Sequence, residues 1–565
     1  MKGIIESVTL LSGPRGIGAP LEIEVATANV LVGPNHSGKS LLLREIKPRI
    51  DWPYDLKPTK VLKSVQFAAW DDPAKQELVS KLRARARKWE APQGLEISVG
   101  LGSRGISVHS QDEFEQLMQS ILQRRDMTGH FGLGDAIRSV MCLALSGEER
   151  LTILKSTSRS GALYSSSDLL AKLNQDDQKR RQVQEIVRDA FGCTFVIDLI
   201  NQPVTAKLSD VEPPEGVEKS LLPEAIEFFR QCVGLETMSD GVRAFTGMVA
   251  AVIASDAQVI FIDEPEAFLH PELCTKLAKE LCRRARENKQ QLFIATHSAP
   301  FLMGCVQAGI DLNIIRLTYQ RGVATSRVLP SQELIPLMRQ PLLRSTAGVS
   351  GIFYSSVVVT EGDADRAFYD EINHRCVEGR HHAGIPEALF LNAHSWQQVA
   401  LLLAPLRRLG VAAAAILDLD VLLASESTSM QALLESAGVP PASRQALGQL
   451  RGDLHRRFKP RGGELKEQGL ACATGDERRD LENFVDQLAA YGVFLVPVGE
   501  LEGWLSNLPR GSFSGKKEWL LRTFQAMGDD PGQPGYARPE QNDVWSWMSK
   551  VRSWLHDPQR KGMYD

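Results

Sequence analysis

The chain has 565 residues, 43% of them hydrophobic and 24% charged, with a formal net charge of −4. That length exceeds what one hydrophobic core serves, so two or three domains are expected. The near-balanced charge excludes a global polyanion-binding surface and leaves nucleic-acid contact to local patches, and no uncharged run reaches the roughly 18 apolar residues of a membrane span.

In chain order, the start MKGIIESVTLLSG has neither the long apolar stretch nor the small-residue cleavage site of a signal peptide. The 8 cysteines are scattered with no CxxC pair, so reduced thiols and a cytoplasmic location are expected. Residues 21–40, LEIEVATANVLVGPNHSGKS, read as a strand around ANVLV, a tight loop, and a helix that continues into LLLREI. The loop fits G-x-x-x-x-G-K-[ST] through Gly33, Gly38, Lys39 and Ser40, with Asn35 inside it. Loop N–H groups and the helix N-terminus suit a β-phosphate, the lysine reaches the β- and γ-oxygens, and the serine holds Mg²⁺.

Residues 71–235 predict a compact helical dimerisation insertion that includes part of the ATPase lobe, with a basic helical run KQELVSKLRARARKW (75–89) and a polar helical stretch over 165–191. No heptad is sustained, which excludes a long coiled coil. ETMSDGVRAFTGMVAAVIAS (236–255) then places Ser239, Asp240 and Gly241 at the start of a helix, either as a plain N-cap or as a second phosphate cradle. VIFIDEPEAFLHP is a buried strand ending on Asp263 and Glu264: the first suits Mg²⁺, the second the attacking water. LFIATHSAPFL is another strand, and His297 at its end suits a γ-phosphate sensor.

This order of elements resembles the head of ABC-type ATPases of the RecF, SMC and OLD kind, and DEPEAFLHP with ATHSAPFL is most similar to the OLD branch. MSDGVR departs from the commoner LSSGE-type signature, and His36 stands where a glycine is usual; neither change removes a phosphate-binding group. The resemblance implies ATP with Mg²⁺ as cofactor and a homodimer in which Ser239 and Gly241 complete the partner's nucleotide site. It also makes Gln66, in SVQFAAW, the metal- and water-contacting glutamine. The ATPase is thus expected over 1–70 and 236–330, followed by a linker over 331–353.

From 354 a βαβ rhythm restarts. SSVVVT leads into Glu361, Gly362, Asp363 and Asp365; EALFLN is a second strand; VAAAAIL ends on Asp418-Leu419-Asp420; and YGVFLVPVGELEGWL stops at Glu500 and Glu502 ahead of an expected helix. Acids thus finish three strands at their carboxyl ends, where open α/β sheets place their sites. One such cluster caps a helix without further meaning. Three of them suit hard divalent cations and the two-metal chemistry of phosphodiester cleavage.

Glu at the first strand end and Asp-x-Asp at a later one resemble the Toprim fold of topoisomerases, bacterial primases and OLD-family nucleases. An ABC head before a Toprim domain is the OLD arrangement, and it covers the whole chain, with the Toprim part over 354–565. The resemblance implies that Glu361 and Asp418 hold one Mg²⁺ or Mn²⁺, and that Asp365, Asp420 and Glu502 hold or orient a second. Glu500 is the alternative to Glu502. The resemblance also implies a late lysine that stabilises the transition state; Lys516 and Lys517 are candidates, with Lys550 in reserve. RGDLHRRFKPRGGELK (451–466) reads as a backbone-gripping basic segment or a solvated loop.

The implied activity is an ATP-regulated, metal-dependent DNA endonuclease of antiphage defence, with a defence-system protein or RNA as possible partner and no membrane. tRNA cleavage of the PARIS kind, and an ATPase sensor whose Toprim module only binds, are the alternatives.

Overall fold

The computed structural model describes residues 4–14, 16–51, 57–68, 72, 75–76, 79–80, 83, 87–91, 94–101, 104–108, 110–123, 142–156, 168–201, 203–320, 322–330, 346–425, 427–509 and 511–564. The chain divides into two compact units, Met1–Ile335 and Pro336–Asp565. Most of the expected linker, 331–345, lies outside the described residues; Thr346–Ser350 and Gly351–Phe353 are short helical turns. Among the described residues no helix is long and apolar enough to cross a membrane.

The first unit is built on a six-stranded sheet. Its spatial order is Val323–Pro330, Leu312–Gln320, Ala28–Val32, Gln291–Ala295, Val259–Asp263 and Cys142–Leu145, parallel except for the antiparallel edge strand Val323–Pro330. Apolar runs such as ANVLV and QLFIA are buried at every position, as a sheet covered on both faces requires. A three-stranded antiparallel sheet of Gly16–Glu24, Ile5–Gly13 and Leu62–Phe67 lies in the same unit. Val8, Leu10, Leu31, Leu42, Phe261 and Phe293 form one core with it.

The insertion over 71–235 is not wholly helical, contrary to the expectation. Helices Gln111–Gln123, Leu169–Gln175, Asp177–Phe191 and Pro223–Gln231 are present. An antiparallel meander of Arg87–Ala91, Gly94–Leu101 and Arg104–Val108 precedes them, and Thr194–Asp198, Thr205–Ser209 and Val233–Gly234 form a second small sheet. Cys142–Leu145 joins the central sheet outright. The basic run over 75–89 ends as strand: Lys88 pairs with Ile97 and Trp89 with Glu96. GLEISVGL alternates with period two between glycines, and that local signal outweighs the helix propensity of the neighbouring Lys and Arg. The polar stretch 165–191 breaks at Asp176, whose carboxylate accepts from Lys179 N and starts a second helix.

The second unit has a four-stranded parallel sheet in the order Ala388–Asn392, Ser356–Thr360, Ala412–Leu417, Val493–Leu495. Thr360 pairs with both Asn392 and Ile416, so Glu361 and Asp418 leave the sheet at the same edge. Helices Asp363–Glu378 and Val399–Arg408 make the crossovers. The basic segment 451–466 lies on Pro441–Phe458, Lys459–Arg461 and Gly462–Gln468, all helical, rather than in a loop. The stretch after Glu500 is a single 3-10 turn, Leu501–Gly503, instead of the expected helix. Helices Gly515–Met527 and Asp543–His556 close the core with Trp519, Trp545, Trp547 and Trp554. Arg407 is wholly buried and donates to the carbonyls of Ala413, Ala437, Tyr491 and Gly562.

Candidate functional site

Each unit carries a polar centre at the carboxyl ends of its parallel strands. In the first, strand Ala28–Val32 feeds the loop that opens helix Lys39–Asp51. Gly33 sits at φ 135°, and a Cβ there would lie 2.1 Å from the Leu317 carbonyl oxygen, so only glycine fits. Gly38 is also left-handed, and so is His36 at φ 59°. Asn35 and His36 are exposed. The Lys39 ammonium is folded into the loop, donating to Gly33 O at 3.0 Å, Pro34 O at 2.8 Å and Ser37 Oγ at 3.3 Å. Burial pulls its pKa down to about 8, against the opposing pull of Glu264, Asp263 and Glu266. Ser40 Oγ donates to Asp263 Oδ1 at 2.8 Å, which brings the two expected Mg²⁺ holders together.

Glu264 is exposed, at φ 51°, and its N–H donates to Ala295 O on the neighbouring strand. Glu266 accepts from His297 N at 2.6 Å and Thr296 Oγ1 at 2.8 Å, locking the acid turn to the histidine strand. Burial raises the Glu266 pKa and lowers that of His297, with Lys39 adding to the second effect. Ser239 precedes helix Asp240–Ala254 but makes no capping bond with its side chain, and both Ser239 and Asp240 are exposed. Gly241 is required by close packing, since a Cβ would come within 2.6 Å of Phe268 O.

Gln66 does not join this group. Its side-chain oxygen accepts from Ser7 Oγ across the three-stranded sheet, and no hydrogen bond or ion pair among the described residues links it to the loop or to Asp263. A glutamine on an exposed strand face satisfies itself with the nearest hydroxyl. Gly33→Ala is expected to weaken nucleotide binding by more than about tenfold by forcing the loop off the Leu317 carbonyl. Titration with a fluorescent ATP analogue measures this, and unchanged affinity refutes it.

In the second unit, Asp418 N donates to Glu361 Oε1 at 2.8 Å. Lys516 Nζ bridges Asp365 Oδ1 at 2.9 Å and Asp418 Oδ2 at 3.0 Å. Lys466 Nζ bridges Asp420 Oδ2 at 2.9 Å and Glu500 Oε1 at 2.8 Å. Glu502 Oε2 is buried without a hydrogen-bond partner. Burial pushes Glu361 up to about 8, helped by Asp418, and Asp418 up to about 7 despite Lys516. Burial opposes the Lys516 charge, yet Asp418 and Asp365 hold its pKa above the ordinary lysine value. The hydrogen bonds that Lys466 donates to Glu500 and Asp420 do the same for its own pKa.

The expected metal cluster is therefore not assembled as such. Among the described residues no group of three or more His, Cys, Asp or Glu is arranged to hold a metal ion. Like charges cannot close up unaided, and here two ammonium groups supply the counter-charge. The donor chemistry still fits a hard divalent cation: the acids offer only oxygen, two of them resist ionisation, and the Glu502 oxygen lacks a partner.

Lys516 is thus among the acids, whereas Lys517 is exposed and Lys550 lines a separate crevice with Glu482 and Trp547. Glu500 and Glu502 differ in their partners: Lys466 holds the first, while burial raises the pKa of the second, against Lys516 and with Glu500 and Asp365 adding to the rise. The basic segment is mostly spent on neighbours: Arg457 on Asp480, Arg461 on Glu477, Arg451 on the Ala424 carbonyl. A depression of about 430 Å³ beside the centre is lined by Glu361, Asp365, His394, Trp396 and Lys516.

Sequence reasoning missed Arg150, Glu266, Lys466 and His394. His394 alone carried a signal, two positions past the strand end Asn392, whose Oδ1 accepts its N–H at 2.7 Å.

The raised acids give a signed pH dependence. An acid whose pKa is higher folded than unfolded costs nothing below the unfolded value and destabilises as pH climbs to the folded one. In chelator the thermal midpoint is expected to fall from about pH 4.5 to about pH 8, and Glu361→Gln to flatten that fall. The same slope in both proteins would contradict it.

Residues 158–304, inside the first unit, match a family described as an AAA domain, putative AbiEii toxin, Type IV TA system. No curated protein matches. Among solved structures, the chain is similar to an SMC head bound to the C-winged helix domain of ScpA, at 12% identity over 59% of this chain and 99% of that one, with a TM-score of 0.34. An SMC head domain from Thermotoga maritima is 13% identical over 58% and 99%, with a TM-score of 0.29. For cbiO1 from Clostridium perfringens, part of the ABC transporter complex cbiONQ, the values are 13%, 61%, 98% and 0.29.

Proposed function

We propose that the chain is an ATP-regulated, Mg²⁺- or Mn²⁺-dependent endonuclease of the OLD kind, acting on DNA in antiphage defence as a homodimer or higher oligomer. The AAA-family match and the Lys39–Ser40–Asp263 arrangement support ATP binding and hydrolysis in the first unit. Ser40 and Asp263 would hold its Mg²⁺, Glu264 would orient the attacking water, and His297 would sense the γ-phosphate. The exposed start of helix Asp240–Ala254 would face the nucleotide of a second copy.

The observation that carries the nuclease reading is the hydrogen bond from Asp418 N to Glu361 Oε1, with Lys516 beside it between Asp365 and Asp418. Glu361, Asp365, Asp418, Asp420 and Glu502 would hold the divalent ions, whose contribution is to stabilise the attacking and leaving oxygens of a phosphodiester. Glu361, joined to Asp418 N and ionised once a cation is bound, would accept a proton from the attacking water. Lys516 brings positive charge to where a non-bridging phosphate oxygen would gain negative charge. The matched family, described as a putative toxin, agrees with an effector role.

Incubating the purified chain with plasmid DNA and with total tRNA, in Mg²⁺ or Mn²⁺ and with or without ATP, tests the proposal. Cut plasmid supports it. Degraded tRNA beside intact plasmid replaces DNA with RNA as substrate, and two intact substrates leave a binding module.

A further inference from the structure

Glu149–Thr152 form one helical turn after the edge strand Cys142–Leu145. Arg150 in that turn is 3% exposed. Its Nη1 donates to the Asp263 carbonyl at 2.9 Å and to the Glu264 carbonyl, while its Nε is buried with no hydrogen-bond partner. An arginine spent on backbone carbonyls, with three carboxylates of the same turn in its field, is costly to bury. The backbone it holds is itself strained: Glu264 is left-handed, a conformation a non-glycine residue keeps only where its surroundings impose it.

The far side of the same turn is gripped by helix Asp240–Ala254. A Cβ on Gly247 would come within 2.6 Å of the Arg150 carbonyl oxygen, so helix and turn are in backbone contact. Arg243 Nη2 donates to the Leu151 carbonyl at 3.2 Å, and its Nη1 pairs with Asp240 at 3.1 Å. Two arginines thus run in series from the first residue of that helix to the peptide of Glu264.

We infer that Arg150 is a positioning residue that sets the direction of the Glu264 carboxylate and ties it to the start of helix Asp240–Ala254. Occupancy at Ser239–Gly241 is then transmitted to hydrolysis at the same copy's phosphate loop. The inference rests on Glu264 acting on the attacking water. The guanidinium suits the task because its planar fork presents several donors in fixed geometry, which a lysine ammonium does not. What moves is the Glu264 peptide, and with it the bond that aims the side chain.

The test uses the full chain with Mg²⁺ and ATP, comparing Arg150→Ala, Arg150→Lys, Arg243→Ala and Glu264→Gln for kcat, KM, nucleotide affinity and thermal midpoint. Both Arg150 variants are expected to lose about tenfold or more in kcat with KM and affinity changed less than about twofold, a split that a general loss of structure does not produce. Arg243→Ala is expected to keep most of kcat and to lose cooperativity in its ATP dependence. A folded Arg150→Lys protein with the parent's kcat overturns the inference, and it decides the matter even if Arg150→Ala fails to fold. If Glu264→Gln is inactive while the Arg150 variants match the parent, only this inference fails. If Glu264→Gln hydrolyses ATP at the parent rate, the reading of Glu264 fails first.

Discussion

Asp418→Ala is expected to cut metal-dependent cleavage by about a thousandfold while ATP hydrolysis stays within about twofold, because about 4 kcal/mol of charge stabilisation is lost at one centre only. The substitution removes an oxygen that Lys516 holds at 3.0 Å and one of the carboxylates crowding Glu361. Glu361 should then ionise more readily, and Lys516 should turn wholly to Asp365. Structure need not suffer, since the Asp418 N–H that reaches Glu361 is backbone and survives the change. Single-turnover cleavage of plasmid beside a phosphate-release assay separates the two activities. Loss of hydrolysis with cleavage intact would mean the two centres have been assigned the wrong way round.

Arg407→Ala is expected to destabilise the second unit by about 3–5 kcal/mol, because it strands four carbonyls, two buried and two half-buried, and empties a large fully packed site. For a unit of this size that corresponds to a thermal midpoint lower by roughly 10 °C. The guanidinium also lies 4.7 Å from the centre of the Trp554 ring, so a cation–π contact is lost with the hydrogen bonds. Arg407→Lys keeps the charge but satisfies fewer carbonyls, and its loss should be intermediate. Differential scanning calorimetry of the full chain measures both, and an Arg407→Ala midpoint within about 2 °C of the parent would count against this reading.

What the sequence made legible was chemistry attached to strand ends. Lys39, Ser40 and Asp263 could be read because a phosphate loop needs fixed spacing and an apolar strand before it. Glu361 and Asp418 could be read because apolar runs such as VVVT and AAAAIL stop abruptly at acids. Arg150 was not legible: it sits in a polar stretch, and only the fold brings it across more than a hundred residues to the acid turn. Lys466 was hidden in a basic segment where charge pattern alone does not say which residue finds an acid. The strands at 87–108 were missed because the basic run KQELVSKLRARARKW reads as one helix through Trp89, two residues past the point where the strand has already begun.

The four carbonyls that satisfy Arg407 come from positions 413, 437, 491 and 562. During synthesis the guanidinium is therefore made well before its last partner leaves the ribosome. Until then a bare cation on the buried face of helix Val399–Arg408 opposes burial, so the sheet is not sealed before Gly562 is made. A chain halted some tens of residues early would present that open edge to chaperones and proteases.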